Sequence, residues 1–318
     1  RTWLSEQMAR DLECFEGNAQ TLRILLKAKY NSEINLSFAV INALAKYPTD
    51  SLSASKKDFN IKNHKSGLFF SEQKIFREIA NTTGAVQESG ELVRHPLTFL
   101  LEAADDIAYA TADLEDAFKK NLFTLDTFIQ FWKTGYNEQL AGQKGKSDAM
   151  PHFIAQQSIL RLKKLRDELS DDNKALNTWL NETRRWLMYT TIYSFNHSYK
   201  NIMNGTYGTE LFYDNFQTCT LKLLKKAMVE FAFNSSGILK LELSAETILS
   251  FLLDHFVRAV LYFENEDSEN GYVPSTADRK YLTLLSSNYK NDYRLMRDNS
   301  ADEGYNLYLR LLMVTDYV

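Results

Sequence analysis

An all-α fold is predicted by three observations. Apolar residues recur at helical spacing through most of the 318-residue chain. Only 12 glycines and 4 prolines are present, too few to supply the turns of a sandwich, a barrel or a many-stranded sheet. Hydrophobic residues make up 44% and charged residues 25%, which is the balance of a globular chain able to bury a large core.

The elements follow in order. From Asn18 to Lys29, the residues Ala19, Leu22, Ile24, Leu25 and Leu26 form the apolar side of a helix, with Gly17 as a turn and Asn18 at the N-cap. Asn35 to Lys46 repeats the pattern with Leu36, Ala39, Val40, Ala43 and Leu44. Pro48 stops it, because proline lacks a donor and disfavours helical geometry just before itself. Thr49 to Gly67 is polar and carries Lys56, Lys57, Lys62 and Lys65, so it reads as a loop or a small hairpin. Lys74 to Ala80 starts another helix, ended by a loop from Asn81 to Gly90. Pro96 suits the first turn of a helix that reaches about Lys120. After a loop at Gly142 to Ser147, helices are expected over Pro151 to Leu169, Asp172 to Asn201, Leu211 to Phe231, Ala245 to Tyr262, Asp278 to Asn288 and Ala301 to Val318. Turn residues join them at Asn204 to Gly208 and at Asn265 to Pro274. Residues 1–145 hold the denser polar motifs, and 146–318 read as a helical scaffold continuous with them.

Thirty-seven Lys and Arg against 41 Asp and Glu give a net charge of −4, which excludes a globally basic nucleic-acid binder. Cys14 and Cys219 make no disulfide framework and have no ligand partner at short spacing, which points to a reducing, cytoplasmic setting. The most apolar stretch, Ile248 to Phe263, is broken by Asp254, His255 and Arg258, so no membrane span is expected. There is no GxxxxGK[ST], no GxGxxG and no nucleophile elbow, which sets aside P-loop and Rossmann chemistry. His64, His95, His152, His197 and His255 form neither a His-Asp pair nor an HExxH.

The segment from His95 to Asp116 is the most informative. On a helix, Leu97, Leu100, Ala104, Ile107, Ala108, Thr111, Leu114 and Phe118 should share the buried face. Asp105, Tyr109, Asp113 and Asp116 fall opposite within an arc of about 80° at roughly 100° per residue, with Glu102 beside them. One reading is a solvated acidic face. The other is a ligand stripe: Ala103, Ala108, Ala110 and Ala112 leave room beside it, and carboxylates one turn apart repel each other unless a metal or a donor-rich ligand offsets the repulsion. Asn18 likewise either starts an ordinary capped helix or offers a polar ligand a helix start with free donors. Lys46 and Lys65 flank one loop, as solvated lysines or as a cradle for a polyphosphate.

Two motifs taken together resemble a known family. Phe15-Glu16-Gly17-Asn18-Ala19-Gln20-Thr21-Leu22-Arg23, and Glu102-Ala103-Ala104-Asp105-Asp106-Ile107-Ala108-Tyr109 continuing to Asp113-Leu114-Glu115-Asp116, resemble the bacterial deoxyguanosine triphosphate triphosphohydrolases of the HD superfamily. The resemblance implies an HD-domain-like multi-helix bundle that uses a divalent metal ion, Mg or Mn. It also implies cleavage of a deoxynucleoside triphosphate, with dGTP expected, to deoxynucleoside and tripolyphosphate. Asp105 matches the last metal ligand of the family. Tyr109 and Asp113 match residues that pack against the deoxyribose and bind its 3′-hydroxyl. Asn18 matches a substrate-contacting Asn, and Lys46 and Lys65 are similar to two lysines that hold the phosphates.

The family's first His, its His-Asp pair and its catalytic His and Glu precede the Phe-Glu-Gly-Asn motif, and here only fourteen residues precede Phe15. Thr315-Asp316-Tyr317-Val318 resembles the start of a family segment that continues further. The chain therefore reads as the C-terminal portion of such an enzyme, inactive alone because one carboxylate supplies too few metal ligands. The resemblance also implies a homo-oligomer, with a dNTP or single-stranded DNA as a possible allosteric partner. The contrasting expectation is a non-catalytic HD-like helical protein that binds nucleotides or single-stranded DNA as a regulator.

Overall fold

The computed structural model describes residues 4–31, 36–141, 149–264, 274–298 and 302–318. Thirteen α-helices lie among them: α1 (Glu6–Glu13), α2 (Gly17–Asn31), α3 (Phe38–Leu44), α4 (Gln73–Thr82), α5 (Pro96–Lys119), α6 (Leu125–Ala141), α7 (Ala149–Leu169), α8 (Asp172–Met203), α9 (Thr218–Met228), α10 (Ser236–Val260), α11 (Thr276–Leu284), α12 (Ser287–Asp298) and α13 (Glu303–Tyr317). The only extended pairings among the described residues are two isolated bridges, Asp50 with Leu68 and Val86 with Leu92. The fold is all-α. No described helix is long and apolar enough to cross a membrane.

Local chemistry sets the helix ends. Ser5, Ser37, Asp171 and Asp302 each accept a backbone N–H at the start of α1, α3, α8 and α13, satisfying donors that a helix start leaves without partners. Ser275 and Asp278 form a reciprocal capping box that starts α11. Several boundaries differ from the sequence expectation. α2 begins at Gly17, so Asn18 sits inside the first turn and is not the cap. Asp278 to Asn288 is not one helix: α11 ends at Leu284 and α12 begins at Ser287. Leu211 to Phe231 is helical only from Thr218, because Asn215 folds the chain before it, donating to the Leu211 carbonyl (2.7 Å) and accepting from the Gln217 N–H (3.0 Å). α9 then runs into a π-turn at Val229–Phe233. No hairpin forms over Thr49 to Gly67: the segment is irregular, with a single 3₁₀ turn at Ile61–Asn63. Its bridge from Asp50 to Leu68 is parallel, a pairing that a tight hairpin cannot make. α1, α6 and the part of α12 beyond Asn288 are not among the elements expected from the sequence. The expected loop at 142–147, and all but the last residue of the connection 265–274, lie outside the described residues.

The chain divides into two compact units, one of Arg1–His95 with Leu243–Val318 and one of Pro96–Glu242. In the first, Leu22, Ile41, Leu68, Phe76 and Ile79 form one buried cluster. Phe256, Val260, Tyr293, Leu309 and Met313 form a second. Met8, Ala19, Phe69, Tyr308 and Leu312 form a third, which ties α1, α2 and α13 together.

The second unit has one large core on α5 to α9 with an aromatic centre. Phe128, Trp132 and Trp179 meet with ring centroids 5.3 to 5.7 Å apart. Each indole is satisfied from α7: Trp132 donates to the Ala155 carbonyl (3.0 Å) and Trp179 to the Ser158 carbonyl (2.8 Å). A buried indole N–H without such a partner would cost on the order of 1–3 kcal/mol. Gly135 on α6 allows the approach of α9, since a Cβ there would lie 2.9 Å from Leu223 Cδ2.

Candidate functional site

α5 carries the carboxylate stripe of the second unit. Its buried face is Phe99, Ala103, Ile107, Ala110, Leu114 and Ala117, where it packs on α8 and α9. This corrects the face read from the sequence. Ile107, Thr111, Leu114 and Phe118 are buried as expected, but Leu97 is 53% exposed, and Ala104 and Ala108 are exposed too. The alanines have two different uses. Ala103 and Ala110 allow close helix packing, whereas Ala108 and Ala112 border the outward stripe.

Along that stripe Asp105, Tyr109 and Asp116 are exposed, and Glu102 and Asp113 are half-buried. The ring of Tyr109 lies 5.8 Å from that of Phe233 in the π-turn. Partial burial, with the negative charge of Asp113 nearby, raises the Tyr109 phenol above its ordinary value. The phenol therefore stays neutral around pH 7 and presents an uncharged ring. Two neighbouring carboxylates are held in ion pairs: Asp106 with Lys225 (2.8 Å), and Glu115 with Arg184 and Lys119 (both 2.8 Å). Hydrogen bonds from Lys119 and Arg184 hold Glu115 below the usual carboxylate range. Arg184 also donates to Thr111 (2.8 Å), which anchors it to α5. Phe233, Lys225 and Arg184 were not legible as neighbours of this stripe. Phe231-Ala232-Phe233 reads as plain helix, and nothing in the periodicity marks a π-turn.

Asn18, Lys46 and Lys65 belong to the first unit. Asn18 and Lys46 are half-buried. Lys65 Nζ lies 3.5 Å from Glu16, so it reaches the Phe-Glu-Gly-Asn motif itself. The segments carrying the two lysines run side by side. The Gly67 N–H donates to the Thr49 carbonyl (2.9 Å), and Gly67 lies so close to Tyr47 that a Cβ would meet the Tyr47 oxygen at 2.0 Å. Only glycine allows this approach, which puts Lys65-Ser66-Gly67 against Lys46-Tyr47.

The rest of the first motif has a structural task that the sequence did not disclose. Arg23 is fully buried, donating to Asp316 (2.8 and 3.1 Å) and to Glu72 (2.6 Å). Gln20 also donates to Asp316 (2.9 Å), and Lys27 pairs with the same carboxylate. Gln20, Arg23 and Lys27 of α2 thus clamp the C-terminal end of α13.

A metal fits the described residues poorly. No three His, Cys, Asp or Glu side chains among them come together as ligands, whereas a divalent ion of the expected kind needs several. Asp105 supplies one carboxylate at most.

No family model matches the chain. Curated proteins match it along nearly all its length. A deoxyguanosinetriphosphate triphosphohydrolase-like protein of Listeria monocytogenes is 35% identical over 319 residues, covering 99% of this chain and 64% of that protein. A deoxyguanosinetriphosphate triphosphohydrolase of Yersinia enterocolitica is 25% identical over 332 residues, and one of Yersinia pestis is 26% identical over 333; each alignment covers 99% of this chain and 62% of the relative. The chain thus spans a little under two thirds of the length of these relatives. The similarity, sustained over 99% of the chain and on an all-α fold that carries both motifs, is to proteins named deoxyguanosinetriphosphate triphosphohydrolase or like one.

Proposed function

We propose that the protein carrying this chain hydrolyses a deoxynucleoside triphosphate, dGTP being the expected substrate, to deoxynucleoside and tripolyphosphate. The stripe of Asp105, Tyr109 and Asp113 on α5, with Phe233 behind the tyrosine, is the observation that carries this proposal. In the second unit, the neutral Tyr109 ring packs against the deoxyribose where a 2′-hydroxyl would project, and Asp113 accepts the 3′-hydroxyl hydrogen bond. In the first unit, Lys46 and Lys65 hold phosphate as point charges, and Asn18 adds a polar contact. These groups work by positioning and by charge stabilisation, which supply most of the rate in phosphoryl chemistry. Asp105 contributes a single carboxylate ligand to a divalent ion, Mg or Mn, that the described residues do not complete on their own. A cytoplasmic setting, assembly into a homo-oligomer, and a dNTP or single-stranded DNA as effector belong to the same proposal.

Phosphorus NMR of dGTP incubated with the protein tests the reaction. Tripolyphosphate as the first product is expected, and stepwise release of orthophosphate contradicts it. Nucleotide that raises the melting temperature without any product identifies the non-catalytic regulator instead. Asp105→Ala should abolish turnover with loss of metal, measured side by side, and Asp113→Ala should mainly raise KM. Retention of both metal and turnover in Asp105→Ala returns the stripe to a solvated helix face.

A further inference from the structure

We infer that Asp11, on α1, is a positioning residue for the phosphate grip of Lys46 and Lys65. This rests on the phosphate role proposed above for the two lysines, and it names the group that holds them in place. Asp11 has none of its surface exposed (0%) and lies outside both sequence motifs. Burying a carboxylate is costly unless its oxygens find donors. Here both oxygens do. Oδ1 accepts from the Ser51 hydroxyl (2.5 Å), and Oδ2 accepts from the Phe70 N–H (2.8 Å) and the Tyr308 hydroxyl (2.5 Å).

Ser51 and Phe70 belong to the two stretches of chain that carry the lysines, each five residues past its lysine. Those stretches are already joined to one another. The Thr49 carbonyl accepts from the Gly67 N–H (2.9 Å), and Asp50 bridges to Leu68. Such bonds fix one lysine relative to the other, but they do not fix the pair relative to Asn18. Asp11 does, because α1 ends at Glu13 and the chain runs directly on into Glu16-Gly17-Asn18.

Two further contacts lie in the same joint. Lys65 Nζ comes 3.5 Å from Glu16, and the buried ring of Phe69 lies 6.0 Å from that of Phe15. A separate tie, Lys62 Nζ donating to Glu91 (2.6 Å) and to the Leu92 carbonyl (2.6 Å), holds the segment to the loop after α4 and not to the motif. Misplacing a substrate-gripping group by about 1 Å can cost on the order of 100-fold in rate. A single buried carboxylate at this joint therefore governs the grip without touching phosphate. Asparagine preserves the joint, since its amide accepts from Phe70 and Tyr308 while donating to Ser51. Alanine removes it.

Calorimetric binding of inorganic tripolyphosphate, with steady-state kinetics on dGTP, tests this in the full-length protein. The variants are Asp11→Ala, Asp11→Asn and Val260→Ala, the last a cavity in the separate cluster of α10, α12 and α13 that reports destabilisation alone. Asp11→Ala is expected to weaken tripolyphosphate binding and raise KM for dGTP by about tenfold, with kcat nearly unchanged. Asp11→Asn should behave as wild type, and Val260→Ala should lose melting temperature without a change in KM. Should Asp11→Ala fail to fold, Ser51→Ala removes one of the three bonds and should shift binding and KM in the same direction by less. A folded Asp11→Ala or Ser51→Ala protein that binds tripolyphosphate as wild type does overturns the inference and leaves the role of the lysines standing. An equal rise in KM in Val260→Ala overturns it too, by reducing Asp11 to general stability. A wild type that binds no tripolyphosphate overturns both the role of the lysines and the inference built on it.

Discussion

At Asp316 burial works against the carboxylate, but the charges of Arg23 and Lys27 and their hydrogen bonds outweigh it and hold the group below the usual carboxylate range. Asp11 behaves oppositely. Burial raises it, and the hydrogen bonds from Ser51, Tyr308 and the Phe70 N–H offset this only in part. The signs of the pH dependence follow. The stability from Asp316 is fully present above its unfolded value and is lost as pH falls through its lower folded value. The contribution of Asp11 is present below its unfolded value and is lost as pH rises through its higher folded one. Asp316→Asn should therefore cost about 3–5 kcal/mol at pH 7, because it leaves Arg23 and Lys27 buried with too little counter-charge. Asp11→Asn should cost less than about 1 kcal/mol there, since an amide can still accept from Phe70 and Tyr308 while donating to Ser51. Denaturant melts at pH 7 and in mild acid check both, the gap between Asp316→Asn and wild type narrowing as acid is added. Equal losses at pH 7 would contradict the assignment. Gln20 and Arg23 were readable as parts of a motif but not as a clamp. Their carboxylate lies 296 and 293 positions away, and no local pattern encodes a pairing at that distance.

The elements themselves were legible wherever periodicity was strong, as on α5, α7 and α8, and less so where short polar side chains reset the chain. Asn215 delays α9, and the expected helix Asp278 to Asn288 ends at Leu284, with α12 starting at Ser287 and running ten residues past the expected end. The register of α5 was misread by treating Leu97 and Ala108 as buried. Its true face is chosen by α8 and α9, which accept Ala103 and Ala110 because alanine lets helix backbones come close. The segment 45–68 has no periodicity at all, and its conformation is set by one close approach, Gly67 on Tyr47. Gly67→Ala must displace one of the two backbones. It should destabilise the protein by about 1–3 kcal/mol and, by moving Lys65 away from Lys46, raise KM for a triphosphate more than it lowers kcat. A melting scan with steady-state kinetics checks it, and an unchanged KM would remove the loop from phosphate binding.

For the whole molecule, the scarcity of glycine and proline is enough to predict an all-α chain, and the two motifs are enough to suggest the family whose named proteins it is similar to over 99% of its length. The metal was not legible as a centre, because Asp105 brings no second and third ligand with it among the described residues. The stripe on α5 proposed to face the sugar bears the most direct test. Hydrolysis of dGTP and of GTP should be compared in the full-length protein for wild type, Tyr109→Ala and Asp113→Ala. Wild type is expected to prefer dGTP by roughly 10- to 200-fold or more, the scale that one unaccommodated hydroxyl and a steric clash provide. Tyr109→Ala should close most of that gap, while Asp113→Ala raises KM for dGTP. A Tyr109→Ala protein that still rejects GTP as strongly as wild type would show that α5 does not face the sugar.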